Sequence, residues 1–267
     1  MERPIMKWKS IVFRVLWVLL VNLLLATGAV RAAELKVMIS GGFSAAYNTL
    51  VPEFERATGN TVATVAGPSM GATAQAIPNR LQRGEPADVV IMVGEALDEL
   101  VKQGKVVVGS RVDLARSYIG MAVRAGTPKP DISSVDALKR TLLAAKSIAY
   151  SDSASGVYLS TVLFPRLGIA DQIKDKARMI PADPVGGVVA RGDAEIGFQQ
   201  ISELMPVAGI EIVGPLPPGA QKVTVFAAGI ITGAKQPEAG KALIAFLASP
   251  AGAVAITHSG MEPAATK

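Results

Sequence analysis

The run Leu35-Lys36-Val37-Met38-Ile39-Ser40-Gly41-Gly42-Phe43-Ser44 changes character twice. Its first half has the β-rich apolar make-up of a strand, and small residues then break it. Beyond it, Tyr47, Leu50, Val51 and Phe54 recur at helical spacing. They mark the buried stripe of a helix to about residue 57, with Ser44 as the expected N-cap and Pro52 as a candidate kink. Strand, glycine and serine loop, helix is the repeating unit of an α/β chain.

Reading outward, the unit recurs. Gly59-Asn60 is a turn and Thr61–Ala66 a β-branched strand. Gly67-Pro68-Ser69-Met70-Gly71 is a loop, residues 72–83 are helical with an interruption at Pro78, 89–92 form a buried strand, and 95–103 a helix stopped by Gly104. Further on come a strand at 147–150, the loop Ser151-Asp152-Ser153-Ala154-Ser155-Gly156 and a helix at 157–167. Val185–Arg191 reads as a short helix, 194–198 as a strand ending in Gln199-Gln200, and Pro237–Leu247 as a helix with proline in its first turn. The β-rich runs 118–123 and 223–231 are each longer than one compact sheet needs. If both cross between lobes, residues 33–118 and 228–267 form one lobe and 119–227 the other. The alternative is a single open sheet.

Composition narrows the chemistry. The 267 residues are 50% apolar and 18% charged, enough to bury substantial cores in one or two domains. Cysteine is absent, which removes thiol nucleophiles and zinc ribbons, and the only histidine, His258 close to the C-terminus, is too few for a three-histidine site and a poor basis for a histidine triad. The sequence therefore calls for neither a metal nor a cofactor. The net charge of +5 is concentrated at the start: Arg3, Lys7, Lys9, Arg14 and Arg31 face Glu2 alone, leaving 22 basic and 21 acidic side chains after residue 32. No basic stripe remains, so nucleic acid is not an expected partner.

Residues 1–32 have the form of a secretory signal: a basic start, an apolar stretch over 15–26, and small residues around Arg31 for a cut after Ala32. The stretch is short of the about 20 residues a span requires. The mature chain is expected to begin near Ala33 in the periplasm, without stable membrane insertion.

Three loops, Ser40 to Ser44, Pro68 to Gly71 and Ser151 to Gly156, place serine and glycine between a strand and a helix. Free backbone N–H groups there favour an anion without any cationic side chain. Singly, each is ordinary capping and turn chemistry; together they suggest one cleft, because ligands in open α/β sheets sit beyond the carboxyl ends of strands. The candidate ligand-binding residues are Ser40, Gly41, Gly42, Ser69, Met70, Ser153, Ser155, Gly156, Gln199, Gln200 and the cation Arg80. The two glutamine amides could equally be a solvated pair, and Arg80 a solvated arginine. Tyr158 could lend a hydroxyl or pack in the core, Asp152 could cap a helix or repel a ligand, and His258 reads as a surface residue.

Several phrases resemble the molybdate-type periplasmic binding proteins of ABC importers. They are Val37 to Phe43, Phe54-Glu55-Arg56-Ala57-Thr58-Gly59, Arg83-Gly84-Glu85-Pro86-Ala87-Asp88-Val89, Arg191-Gly192-Asp193-Ala194-Glu195-Ile196-Gly197 and Ala245-Phe246-Leu247-Ala248-Ser249-Pro250. The resemblance spans nearly the whole mature chain and is most specific at Gly84 to Asp88. It implies an α/β, two-lobed type 2 periplasmic binding protein fold, with an oxyanion held between the lobes by serine hydroxyls and backbone amides. Gly42 stands where that family places a ligand serine and Gln200 where it places a ligand tyrosine; Ser69 fits a ligand serine. The stretch from Ser69 to Gly84 is also longer than in typical members. The loops 67–71 and 151–156 are more similar to a divergent branch, bacterial aconitate isomerase, which moves a proton and a double bond within a tricarboxylate without a cofactor.

Two functions follow, a binding protein as the main reading and an isomerase as its alternative. As a binding protein, the chain captures a small oxyanion or carboxylate and presents it to an ABC permease. As an isomerase of aconitate, it needs a group within hydrogen-bond reach that takes and returns a proton, and the candidates are Tyr158, Asp152 or a serine activated by one of them.

Overall fold

The computed structural model describes residues 32–181 and 183–264, so the expected export signal lies outside the described residues apart from Ala32. The strands are β1 (Glu34–Ile39), β2 (Thr61–Ala66), β3 (Val89–Val93), β4 (Val112–Ser117), β5 (Ile119–Arg124), β6 (Ile148–Ser151), β7 (Ala177–Ile180), β8 (Ile196–Gln200), β9 (Ile210–Pro215), β10 (Thr224–Ile230) and β11 (Glu262–Pro263). They form two separate sheets, ordered β11-β4-β10-β3-β1-β2 and β7-β6-β8-β5-β9. Each sheet carries its own apolar cores, giving two lobes. The α/β two-lobed architecture anticipated from the sequence is the one observed.

In the first sheet β1 runs parallel to β2 and β3, and β10 is antiparallel to β3 and β4. All of β3 is buried, as expected for a strand covered by helices on both faces. The period of two divides its side chains and those of β1 between two cores. Val37, Ile39, Val89 and Ile91 meet Phe43, Tyr47, Leu50 and Phe54 of the helix Gly41–Thr58, while Met38, Val90 and Met92 meet Ile77, Leu81 and Leu97 on the other face.

The bottom of this sheet is tied by Asp88. Its buried carboxylate accepts backbone N–H groups of Lys36 (2.8 Å), Lys235 (2.7 Å) and Gln236 (2.9 Å), joining the starts of β1 and β3 to the chain entering the helix Pro237–Leu247. The phrase Gly84 to Asp88 therefore serves the framework.

Strand pairing locates the crossings. The chain leaves the first sheet after Ser117 and enters the second at Ile119, then returns between Pro215 and Thr224. Each long β-rich run is thus a strand of one sheet, with the crossing just ahead of it. The boundary expected at 227/228 falls inside β10.

Three helix starts differ from the sequence reading. The first helix begins at Gly41, so Ser40 and not Ser44 holds the N-cap position, and Ser44 Oγ turns back to the Ser40 carbonyl at 3.4 Å. Pro52 lies inside this helix without ending it. The expected helix 72–83 is confined to Ile77–Gln82, because Pro78 fits a first turn, where its missing N–H costs nothing. The helix expected from residue 157 begins at Ala154 and continues through a π-helical turn, Leu159–Leu163.

Candidate functional site

The carboxyl ends of β1, β3 and β8 and the loop after β6 are brought to one place, the junction of the two lobes. Gly71 has φ +111°, and a Cβ built on it would stand 2.9 Å from the Asp152 carbonyl oxygen. The loops 67–71 and 151–156, from different lobes, therefore touch at a position where only glycine fits without strain. Met70 and Ala154 both pack against the first lobe's core. A second bridge runs from Ser202 Oγ, which donates to the Gly42 carbonyl at 2.6 Å.

Ser69 is fully buried, and its Oγ accepts the Val93 N–H at 2.9 Å, which fixes the hydroxyl at the end of β3. Ser155 is buried with its hydroxyl 2.9 Å from that of Ser151, Gly156 lies close against Ser151, and Ser153 holds the N-cap position of Ala154–Tyr158 without a side-chain capping bond. Ser40 likewise makes no side-chain capping bond. A Cβ on Gly42 would fall within the Phe226 ring. Phe226 thus fills the space a serine side chain would need, and Gly42 and Phe226 form one paired feature.

Gln199 and Gln200 are both buried, not a solvated pair. Gln199 Oε1 accepts the Val185 N–H at 3.0 Å, and Gln200 Nε2 donates to Thr224 Oγ1 at 3.0 Å. Gln200 Oε1 is buried and has no hydrogen-bond partner among the described residues.

Two expected site residues have their polar groups already engaged by the protein. Arg80 gives both carboxylate oxygens of Glu85 hydrogen bonds of 2.9 and 3.0 Å and donates to the Gln75 carbonyl, so its charge is already paired within the first lobe. Tyr158 packs in the second lobe's core, its hydroxyl donating to the Ala220 carbonyl at 3.0 Å and accepting from Arg166 at 3.1 Å. With both hydrogen-bonding roles taken, Tyr158 is a core aromatic with a satisfied hydroxyl.

The group that sequence reasoning passed over is Glu203. It follows β8 on the one-turn helix Ile201–Leu204, and a Cβ on Gly41 would stand 2.5 Å from its Oε1. A carboxylate from one lobe therefore lies on the first turn of the other lobe's helix Gly41–Thr58. The Gln199 side chain and the Gln200 backbone N–H donate to it. That second bond is one half of a capping box, with Gln200 at the N-cap and Glu203 at N3. Desolvation in the junction pushes the Glu203 carboxyl up to about 7, against the lowering effect of those donors and with a smaller upward push from the Asp152 charge. The signal was in Gln199-Gln200-Ile201-Ser202-Glu203, a carboxyl three residues past a strand end that was already a site candidate.

A two-lobed α/β fold with hydroxyls, glycine loops and amides gathered at the lobe junction defines the class of extracellular solute-binding proteins. The chain belongs to the family described as bacterial extracellular solute-binding protein, whose model matches residues 35–262. It is 55% identical over 245 residues to an aconitate isomerase of Pseudomonas sp, covering 90% of this chain and 94% of that protein. It is 28% identical over 233 residues to the molybdate-binding protein ModA of Azotobacter vinelandii, covering 83% of this chain and 87% of that one. Among solved structures, the Azotobacter vinelandii periplasmic molybdate-binding protein superposes with a TM-score of 0.68 at 22% identity over 87% of this chain and all of that one, a likeness of fold.

Proposed function

We propose that this chain is an exported, cofactor-free isomerase that takes aconitate between its lobes and shifts a proton and a double bond within it. The observation that carries this reading is the position of Glu203. The protein already rests a carboxylate on the first turn of Gly41–Thr58, where helix N–H groups favour negative charge. A ligand carboxylate can take the same place, and Ser40, Gly41, Gly42, Ser69, Met70, Ser153, Ser155, Gly156, Gln199 and Gln200 are the groups proposed to surround it. The high identity to a protein named aconitate isomerase supports the substrate.

The second reading is a binding protein that hands a small anion to an ABC permease, and membership of a solute-binding family favours it. Both readings place the mature chain in the periplasm after removal of residues 1–32. Mass spectrometry of exported protein is expected to give an N-terminus near Ala33.

The deciding experiment mixes purified mature protein with trans-aconitate and follows the cis isomer by chromatography, with no metal or nucleotide added. Conversion is expected. Absence of conversion, together with a melting shift from molybdate, tungstate or sulfate, supports the binding protein instead; ligand at 100 times its dissociation constant stabilises by about 2.7 kcal/mol.

A further inference from the structure

We infer that the Glu203 carboxyl is the group that takes a proton from one carbon of the substrate and returns it to another, an assignment that rests on the isomerase reading above. Tyr158 cannot serve, because its hydroxyl is already committed to the Ala220 carbonyl and to Arg166. Ser69 Oγ accepts the Val93 N–H, and the Ser151 and Ser155 hydroxyls bond each other. Glu203 is different: it reaches across the junction to Gly41 and remains an ionisable oxygen acid in the company of Gln199, the Gln200 N–H and Asp152.

The geometry gives the carboxyl its work. A substrate carboxylate that settles on the first turn of Gly41–Thr58 displaces Glu203 from that turn but leaves it beside the neighbouring carbon. For a methylene next to a carboxylate and one bond from a C=C, the ionised Glu203 takes the proton. The C–H electron pair becomes the new C=C to the central carbon. The old C=C pair takes the proton back from the Glu203 carboxyl at the former vinyl carbon. Atoms and charge balance, no oxidant or co-reactant is required, and the two arms of aconitate exchange their roles. The group must both accept and donate one proton, and a carboxyl with a proton affinity near neutrality populates both forms at the working pH.

The competing account is structural: Glu203 caps its own short helix. Glu203→Gln separates the two, because glutamine at N3 also completes a capping box. The experiment compares the unaltered protein and Glu203→Gln by melting shift with trans-aconitate, by conversion to the cis isomer, and by deuterium uptake into aconitate carbon positions in heavy water, read by NMR. The expected result is a retained melting shift with conversion and deuterium uptake reduced about a hundredfold or more, since general acid–base groups contribute about 10²- to 10⁴-fold. A smaller reduction while the unaltered protein converts aconitate overturns the assignment and leaves the isomerase reading standing. No conversion by the unaltered protein removes that reading and the assignment together. Glu203→Asp, which keeps an ionisable group, is expected to turn over faster than Glu203→Gln; equal rates in the two count against the assignment even if either variant folds less well.

Discussion

The two ends of the same strands in the first sheet handle a carboxylate in opposite ways. At the amino ends of β1 and β3, Asp88 accepts three backbone N–H groups from segments far apart in sequence, all within one lobe. At the carboxyl ends, Glu203 arrives from the other lobe, takes one backbone and one side-chain donor, and faces a second carboxylate, Asp152. The first arrangement fixes charge and welds a framework. The second leaves a carboxylate at the seam between lobes, the place proposed above for the ligand. A buried carboxylate is structural where the fold supplies its donors in surplus, and available for chemistry where it does not.

The largest expected effect tests the welded end. Asp88→Ala leaves three part-buried backbone N–H groups without their shared acceptor, and urea denaturation is expected to show a loss of about 3–5 kcal/mol. At temperatures where the variant is folded, its melting shift with aconitate should match that of the unaltered protein. A loss below about 1 kcal/mol would erase the contrast between the two ends.

The pH dependence of stability probes the other end. Glu203 has its proton affinity raised from 4.5 to about 7 on folding, so the native state binds more protons than the unfolded state between those values. Stability from this group is therefore fully present below pH 4.5 and falls as pH rises through 7, by up to about 3 kcal/mol. Glu203→Gln removes that slope. Melting curves from pH 4.5 to 8, compared between the two proteins, should diverge in that window, and parallel curves would show that Asp152 and the junction do not hold the carboxyl as described.

The next effect lies at the seam itself. Gly71→Ala places a side chain on a backbone with φ +111° and against the Asp152 carbonyl. Loss of about 1–3 kcal/mol is expected from the strained backbone. Because the loops of the two lobes meet there, the aconitate melting shift should shrink as well, whereas Gly84→Ala, also at positive φ but with open space around its Cβ position, should cost stability and leave the shift unchanged.

The fold class and the family could be read before the structure, but not this contrast. Strand, small-residue loop and helix at Ser40, Ser69 and Ser151 gave the α/β class, and the phrase Gly84 to Asp88 gave the family. Local chemistry determines such features, so short windows carry them. The role of Asp88 was hidden because its donors, Lys36, Lys235 and Gln236, lie far from it in sequence. Arg80 looked like a free cation because an ion pair to Glu85 depends on the shortened helix Ile77–Gln82. Glu203 was missed for the same kind of reason. Its neighbour Gly41 is in the other lobe, and only the packing of Ile201–Leu204 on the first helix gives that carboxyl a meaning its own window lacks.

The smallest expected effect isolates one bond between lobes. Ser202→Ala removes the hydroxyl that donates to the Gly42 carbonyl at 2.6 Å and leaves Glu203, its neighbour, in place. Ser202 is nearly fully buried, so water cannot readily replace the lost donor, and a buried hydrogen bond of this kind is worth about 0.5–1.5 kcal/mol. If the junction is a seam that opens to admit ligand, that bond breaks on opening. Its removal then destabilises only the closed form, and the aconitate melting shift of Ser202→Ala should be smaller than that of the unaltered protein while stability without ligand changes little. If instead the lobes are welded at the carboxyl ends as firmly as Asp88 welds the amino ends, the whole loss should appear in the ligand-free protein. Denaturation with and without aconitate distinguishes these outcomes, and only the first keeps the two ends of the sheet physically different.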